Sequence, residues 1–445
     1  MPTLFWTDAL FFLVLLMLGA AAWRMRSREH LRRPWQKVAN STPALISLVV
    51  LLFFLFLALL DSIHFYPTDE RQPSGNTHAG EALSVLDWWT TPMRTHVEKT
   101  YSAPFATQAW SRESIRDAAG VPHRIHARLQ YGGAHLVNPE QELASDLLRS
   151  GFRGLLQGLG VGLLALAALT GLLRKRQPTA IIGTLLLLCA VSGVIGELSA
   201  HYHVFGTDKV GEDVLYQSVK SIRTGLLIGT LTTLATLPLA LLLGIMAGYF
   251  RGWVDDVIQY LYSTLNSIPG VLLIAASMLL MQSYMARHED AFTSLALRAD
   301  FRLLFLCLIL GMTSWTGLCR LLRAETLKLR EMEYVQAARV LGVSRSGILF
   351  RHILPNVFHL VLISVVLDFS SLVLAEAVLS YVSIGVDPTM QSWGNMINSA
   401  RLELAREPVV WWSLSAALLF MFVLVLSANI FADSVRDAFD PRRSE

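Results

Sequence analysis

Long apolar runs recur along this 445-residue chain, and they restrict its fold more than any other feature does. Each run approaches the roughly 20 residues that an α-helix needs to cross about 30 Å of bilayer hydrocarbon. Hydrophobic residues make up 53% of the chain and charged residues only 16%, which is more apolar than a soluble protein of this length requires. We therefore expect an all-α polytopic membrane protein with about nine transmembrane helices. The approximate ranges are 4–23, 43–64, 152–173, 179–199, 223–250, 258–282, 302–320, 358–380 and 409–432.

The distribution of Lys and Arg predicts the orientation, because short cytoplasmic loops carry an excess of these residues. With an odd number of spans, three basic loops and the basic tail fall on one side. We expect the amino terminus outside and the carboxyl terminus in the cytoplasm. Because nothing basic precedes the first run and Asp8 lies near its start, it predicts a retained helix and not a cleaved signal peptide. The basic residues are Arg24, Arg26, Arg28, Arg32, Arg33 and Lys37, then Arg174, Lys175 and Arg176, then those from Arg320 to Arg351, and finally Arg436, Arg442 and Arg443.

This topology divides the chain into four predicted regions. Residues 1–64 hold two transmembrane helices and a basic cytoplasmic loop, and residues 65–151 form an external domain of mixed charge. Residues 152–200 add two further helices, and residues 201–445 form the rest of the membrane core. The external region is too long for a loop and short for an independent enzyme.

Charge and cysteine content exclude other classes of protein. The net charge is +3, and the basic residues lie beside apolar runs without forming one basic face, so we expect membrane lipid and no nucleic acid as a partner. Cys189, Cys307 and Cys319 lie in or at the ends of apolar runs without metal-like spacing. They are expected to be small core residues.

One polar segment, EYVQAARVLGVSRSGILFRHILPN at 333–356, lies in the most basic predicted cytoplasmic loop. Tyr334, Ala337 or Ala338, and Leu341 repeat at helical spacing, and Gly342 follows as a helix terminator. The pattern predicts a short amphipathic helix outside the membrane. Its small residues would let the backbone of another protein approach closely, as small residues do at other helix contacts. An interfacial helix pair without any partner is the alternative.

A second short helix is expected after the glycine. Ser344 or Ser346 can cap its start, and Leu349 and Ile353 lie one turn apart. We expect this helix to stop near Pro355, because proline disfavours helical conformation at the preceding residue.

These residues resemble a known motif. Gln336-Ala337-Ala338, then Gly342, then His352-Ile353-Leu354-Pro355 resemble the EAA loop of ATP-binding-cassette (ABC) importer permeases. The segment looks like the peptide and nickel branch, whose members resemble the second permease subunit of oligopeptide and dipeptide importers. Gln336 replaces the usual Glu, and His352 replaces Ile. Further segments that resemble this branch are HVFGTDKVGEDVL at 203–215, GYFRGWVDDVIQ at 248–259, LAEAVLSYVSIGV at 374–386, SWGNMI at 392–397 and FADSVRDAFDPR at 431–442.

The resemblance covers roughly residues 201–442, and more loosely 24–64. It implies a permease of the cell inner membrane with the fold of type I importers, and no enzyme activity of its own. The chain has no GxxxxGK[ST] loop for phosphates, so the resemblance implies that ATP and Mg²⁺ are bound by partner subunits and no cofactor by this chain.

The implied partners are two cytoplasmic ABC ATPase subunits, a second permease subunit and an external solute-binding protein. The 333–356 loop would contact an ATPase and pass its closure to the spans. The coupling residues expected on this basis are Tyr334, Gln336, Ala337, Ala338, Arg339, Leu341, Gly342, His352 and Pro355. Arg339 and Arg351 could equally be positive-inside anchors.

Two acidic residues lie inside a predicted span, where a charge is costly unless it faces protein or water. Asp368 and Glu376 are eight residues apart, within about a quarter-turn of each other on a helix, so we expect both to lie toward the same bundle face or cavity. Glu376 belongs to the LAEA segment and is expected to be structural or to gate the path. Asp368 is a candidate path residue for a cationic group on the substrate. The alternative for Asp368 is a carboxyl group that hydrogen-bonds through neighbours such as Ser370 and Ser371.

The outer side offers two weaker candidate sites. Gly385, Pro388, Trp393 and Gly394 form a turn-rich segment where a binding protein could dock, or a loop without a partner. Histidines are scattered over the external region, but only His201-Tyr202-His203 approaches a metal-ligand spacing, so surface histidines are the expected explanation. The others are His78, His96, His123, His126 and His135.

Other classes of function stay open at this point. A membrane enzyme acting through the external domain would need a catalytic motif, and neither HExxH nor GxSxG occurs in the spans. An independent carrier would show two inverted halves, which the sequence does not suggest. A scaffold or regulatory permease homologue that does not transport would have the same fold.

Overall fold

The structure is a computed structural model that describes residues 2–25, 29–65, 82–116, 122–173, 178–292 and 294–439. Helices dominate this part of the chain, with five short strands, which confirms the expected all-α membrane class. The helices are α1 (Trp6–Met25), α2 (Glu29–Asn40), α3 (Thr42–Ser62), α4 (Val85–Trp89), α5 (Thr91–Thr95), α6 (Pro139–Leu173), α7 (Thr179–Ser199), α8 (Val214–Phe250), α9 (Trp253–Ser267), α10 (Gly270–Arg287), α11 (Leu295–Arg330), α12 (Glu333–Val340), α13 (Arg345–Ile348), α14 (Leu354–Tyr381), α15 (Trp393–Glu403) and α16 (Trp412–Phe439). The strands are β1 (Pro2–Thr3), β2 (His64–Phe65), β3 (Leu83–Ser84), β4 (Gln108–Arg116) and β5 (Pro122–Arg128).

Within the described ranges, seven helices are long and apolar enough to cross a membrane. They are α3, α6, α7, α8, α10, the helix running from Arg345 through α14, and α16. The shorter apolar stretch of α1 (Trp6–Ala20) and the 36-residue α11 bring the set close to the nine spans expected.

One predicted span is wrong. The run at 258–282 is divided between α9 and α10, with Ile268 in an extended conformation and Pro269 after it. The residue before a proline is disfavoured in the helical region, so the helix ends there. Hydropathy averaged over the run conceals this break.

The first basic loop also differs from expectation, because it is largely helical. α2 covers most of it, and Trp35 packs edge-on against Phe439 with 5.8 Å between ring centroids. Several residues used for the orientation lie outside the described residues: Arg26, Arg28, Arg174, Lys175, Arg176, Arg442 and Arg443, and so does His78.

The chain divides into two compact units. The first comprises Met1–Leu4, Ala39–Thr224 and Gln391–Ser427, and the second comprises Phe5–Val38, Gly225–Met390 and Ala428–Glu445. Residue 151, the expected end of the external region, lies inside α6, which already begins at Pro139.

In the first unit, α6 and α7 pack closely because glycines occupy their contact. A Cβ atom at Gly158 would lie 2.3 Å from the carbonyl oxygen of Cys189, and one at Gly193 would lie 2.4 Å from that of Gly154. Two small antiparallel sheets complete this unit, with the strand orders β1-β2-β3 and β4-β5.

In the second unit, one apolar cluster joins the membrane helices to the polar segment at 333–356. Ala240 of α8, Ile258 of α9 and Leu322 of α11 belong to it, together with Val335 of α12 and Val357 of α14. The same cluster also includes Ala338, Ile348 and Ile353. The polar segment therefore shares a hydrophobic core with several long helices.

Candidate functional site

The helix α12 ends in a motif that fixes the start of the following turn. Gly342 has φ +79°, a conformation that glycine adopts without strain. The N–H of Val343 donates to the carbonyl of Ala338 at 3.1 Å, and the N–H of Gly342 donates to that of Arg339 at 3.2 Å. This pair of hydrogen bonds is a Schellman motif, which satisfies carbonyls at the helix end. The expected glycine terminator is present.

The two faces of α12 differ. Val335 and Ala338 are only 2% and 7% exposed and belong to the apolar cluster. Leu341, at the end of the helix, is 82% exposed, and its neighbour Val340 is 87% exposed. The other exposed candidates are Tyr334, Gln336, Ala337, Arg339 and Gly342. Ala338, which the sequence assigned to the contact, therefore supports the helix from its buried side.

The second short helix does not stop near Pro355. The hydroxyl of Ser344 accepts from the N–H of Gly347 at 3.2 Å and caps α13, which continues through a π-helical segment (Leu349–Ile353) into α14. Pro355 is the second residue of α14 and directly follows the π-helical segment, so its missing N–H falls where the hydrogen-bond pattern of the helix changes. The prediction of a stop was wrong because the helix continues through this change of pattern. His352 lies in the π segment and is partly buried.

Polar contacts connect α12 to α14. The side-chain amide of Asn356 donates to the hydroxyl of Tyr334 at 3.0 Å and to the carbonyl of His352. The rings of Tyr334 and His352 are 6.3 Å apart. A displacement of α12 would therefore act directly on the start of α14.

Several charged groups near the ends of α8, α9 and α11 make contacts that the sequence did not predict. Arg323 of α11 donates two hydrogen bonds of 2.6 Å to the carboxylate of Asp255 in α9. These bonds hold the pKa of Asp255 below its ordinary value. Arg330 donates to the carbonyl of Tyr249 at 2.8 Å, and Arg251 pairs with Glu331 at 3.1 Å. Of these charged residues, only Asp255 and Arg251 lie in a segment, 248–259, that resembles the family in sequence.

The two acidic residues of α14 face different surroundings, although eight residues apart. Glu376 is buried and accepts a hydrogen bond of 2.7 Å from the hydroxyl of Ser380. Asp368 is exposed on the surface of the chain, so the two do not share one cavity. The hydroxyl of Ser371 donates to the backbone carbonyl of Asp368, not to its carboxylate. Ser370 is buried, and no hydrogen bond to its hydroxyl occurs within the described residues.

Comparison with known proteins assigns this arrangement to a family. Residues 240–445 match the model of the binding-protein-dependent transport system inner membrane component. A glutathione transport system permease of Pectobacterium atrosepticum is 31% identical over 247 residues, which cover 56% of this chain and 74% of that protein. The chain belongs to this family. It is an ABC importer permease of the peptide type, and a multi-pass inner-membrane protein.

Two further relatives support the same assignment. A dipeptide transport system permease of Lactococcus lactis is 32% identical over 243 residues, which cover 55% of this chain and 65% of that protein. An oligopeptide transport system permease of Mycobacterium tuberculosis is 30% identical over 239 residues, covering 54% of this chain and 76% of that protein. Each alignment thus spans little more than half of this permease.

The outer-loop residues that the sequence assigned to docking are buried in the permease. Trp393 is 1% exposed, and its indole N–H donates to the carbonyl of Ser218 at 3.0 Å. Gly394 is buried, and so is Gly385, where a Cβ atom would lie 2.1 Å from the hydroxyl of Ser380. These three side chains or backbones are therefore enclosed by the chain itself, whereas Pro388 of the same segment is exposed, and docking at this segment stays a prediction.

The histidines also need a correction, because His203 is not a surface residue. Its Nδ1 lies 2.8 Å from Asp213, and its Nε2 lies 3.6 Å from Glu98. Burial disfavours the charged ring, but the hydrogen bond with Asp213 and the charges of the two carboxylates outweigh it and raise the pKa of His203 to about 9. Glu98 also accepts N–H bonds from Gln130, Tyr131 and Gly132 at 2.8 to 3.0 Å.

Proposed function

We propose that this permease is the membrane subunit of an ATP-driven importer and that α12 couples it to a separate ATPase. The observation that supports the proposal is the difference between the two faces of α12. Its buried face is part of the core of the membrane helices, whereas Val340 and Leu341 expose apolar side chains at its end. Exposed apolar side chains beside a polar rim are typical of a protein contact.

The coupling residues in this proposal are those on the exposed side of the segment. Leu341, Tyr334 and Ala337 supply apolar surface, and Gly342 leaves room for a partner, since a Cβ placed there would meet nothing within 4 Å among the described residues beyond its chain neighbours. Gln336 and Arg339 lie at the polar edge. His352 and Pro355 act through the connection to α14, and Arg351 is equally well explained as an anchor.

Energy in this proposal comes from other polypeptides. Two cytoplasmic ATPase subunits bind ATP and Mg²⁺, a second permease subunit completes the membrane part, and an external solute-binding protein delivers the solute. This permease binds no cofactor itself. The amino terminus is outside and the carboxyl terminus is in the cytoplasm, which puts the basic segment at 333–356 on the ATPase side.

Peptides are the proposed class of solute. The names of the three relatives refer to glutathione, dipeptides and oligopeptides. All three are short peptides or peptide-like molecules, and this common chemistry is what we carry over.

The test combines copurification with transport. Tagged permease is purified from its native membrane as wild type and as Leu341→Asp, and both are tested for an attached ATPase and for ATP-dependent uptake of a labelled peptide pool. Placing a charge at a residue that is 82% exposed leaves the fold intact but blocks an apolar contact. We expect Leu341→Asp to lose the ATPase and at least about tenfold of uptake, or roughly 1.4 kcal/mol.

The matched control is Lys328→Ala on the same cytoplasmic surface. Lys328 is also exposed, and its ammonium group pairs with Glu325, so this variant should keep the ATPase and the uptake. Wild type without any ATPase, or equal losses in both variants, would refute the proposed coupling.

A further inference from the structure

The acidic group of Asp368 is unusual for its position in the permease. Asp368 lies 14 residues from Leu354 and 13 residues from Tyr381, the two ends of α14. At 1.5 Å per residue, it is about 20 Å from either end and therefore near the middle of the span. No hydrogen bond or ion pair to its carboxylate occurs within the described ranges, and the side chain is exposed on the chain's surface.

The contact of its neighbour Phe369 shows which side of α14 does not carry this carboxylate. The ring of Phe369 lies so close to α8 that a Cβ atom at Gly229 would be 2.4 Å from its Cε2 atom. Phe369 thus holds one side of α14 against α8. Successive helical residues differ by about 100°, so Asp368 points to another side.

The exposed residues that flank Asp368 on one side of α14 are mostly apolar. They are Leu367, Leu374 and Val378, and Ser371 lies one turn from the acid. A carboxylate on a face covered by lipid tails would be costly, and ionisable groups at this depth face protein or water in known membrane proteins. This part of α14 is therefore not explained as a lipid-facing surface.

We propose that Asp368 lines the solute path and selects peptides that carry a cationic side chain. A lone carboxylate in an apolar lining is complementary to an ammonium or guanidinium group, and in such surroundings a charge pair is screened less than in water. The buried Glu376 cannot take this role, because it is enclosed within the bundle. This inference rests on the proposed importer function, and it adds the class of solute.

The test compares matched peptides that differ in one charge. Each labelled peptide is supplied as a pair, one member with lysine and the other with norleucine, which is similar in length and uncharged. Uptake is measured with the complete importer in its native membrane, for wild type and for Asp368→Asn. We expect the lysine-to-norleucine uptake ratio to fall about tenfold in the variant, or roughly 1.4 kcal/mol, with norleucine peptides little affected.

Two further variants separate charge from structure. Asp368→Asn combined with Ser371→Asp moves the carboxylate one turn along the same face and should restore part of the lysine preference. Ser371→Ala alone removes the hydroxyl that bonds the Asp368 carbonyl and should leave the ratio unchanged.

The outcomes distinguish this inference from the function on which it rests. Equal loss for both peptides in Asp368→Asn, with reduced recovery of a second permease subunit, would mean that Asp368 pairs with that subunit, and would overturn the inference while the importer function stands. An unchanged ratio would also overturn it. If wild type takes up neither peptide in the presence of ATP, the proposed peptide import fails, and the inference fails with it.

Discussion

At the scale of single residues, the charge buried at His203 has a direct energetic consequence. The ring lies between Asp213 and Glu98, and all three side chains are buried. Burial opposes the charge on Glu98, but His203 and three backbone N–H groups lower its pKa to about 2. Removing one member of such a group leaves a buried charge without compensation, which commonly costs about 3–5 kcal/mol.

The sign of the pH dependence follows from these shifts. The pKa of His203 is raised from 6.5 to about 9. Its contribution to stability is therefore complete below about pH 6.5 and is lost as the pH rises to 9 and beyond. We expect the unfolding temperature of the detergent-purified permease to fall over this range. Glu98 contributes in the opposite direction, and its stabilisation is lost only when the pH falls from about 4.5 through 2.

The variant His203→Gln should be less stable at pH 6 by about 3 kcal/mol, and its unfolding temperature should depend less on pH between 6.5 and 9. His201→Gln is the matched control, because His201 is exposed and two residues away. An identical pH profile in wild type and His203→Gln would contradict the assignment of the charge to His203.

At the scale of elements, hydropathy predicted the apolar helices but not their breaks. The class and most spans follow from composition, because every backbone polar group must be satisfied inside the bilayer and a helix does this alone. The helix is interrupted at Pro269 but continues through Pro355, although both residues are prolines. The position of a proline relative to a helix start depends on packing that a local pattern does not contain.

The glycine contact between α6 and α7 gives a prediction with an internal control. A Cβ atom at Gly158 would meet the carbonyl of Cys189, whereas one at Gly160 would meet nothing within 4 Å from other described parts of the chain. Gly158→Leu should therefore separate the helices and increase the labelling rate of Cys189 by a thiol reagent in the membrane several-fold. Gly160→Leu should not change it. Cys307 and Cys319 are buried and should contribute little labelling. Equal rates in the two variants would contradict the packing.

The ion pair between Arg323 and Asp255 connects α9 to α11, and mutating it tests this connection. It is partly buried and forms two hydrogen bonds, which distinguishes it from the exposed pair of Lys328 and Glu325. In a double-mutant cycle of Asp255→Asn and Arg323→Gln, monitored by thermal unfolding, we expect a coupling energy of about 1 kcal/mol. The cycle of Lys328→Ala and Glu325→Ala should give less than about half of this. Coupling energies in the reverse order would refute the structural role.

At the scale of the whole molecule, the site was only partly predictable from the sequence. The helical spacing and Gly342 predicted α12 and its end. The same spacing did not show that Ala338 faces inward, because a two-turn helix has no periodicity long enough to define its buried side. Trp393 and Gly394 lie in a loop-like sequence yet are buried, and Trp393 donates a hydrogen bond to Ser218, 175 residues away. Contacts of this range are invisible to local patterns.

One path inside the second unit connects α12 to the membrane helices. α12 shares the apolar cluster with α8, α9, α11 and α14, and Tyr334 joins it to Asn356. If a partner bound to α12 moves when ATP binds, it would favour one of two arrangements of the membrane helices over the other. The two arrangements would open the solute path to different sides of the membrane. In the proposed coupling, the path begins at Leu341, where we expect the partner to be in contact.

The most direct measurement places a photoreactive amino acid at Leu341 in cells and identifies the adduct by mass spectrometry, with the same probe at the exposed Ile125 of β5 as the control. We predict an adduct at position 341 with a polypeptide that contains a GxxxxGK[ST] loop, and no such adduct at position 125. The absence of this adduct at 341, or its equal formation at 125, would contradict the coupling of this permease to an ATPase through α12.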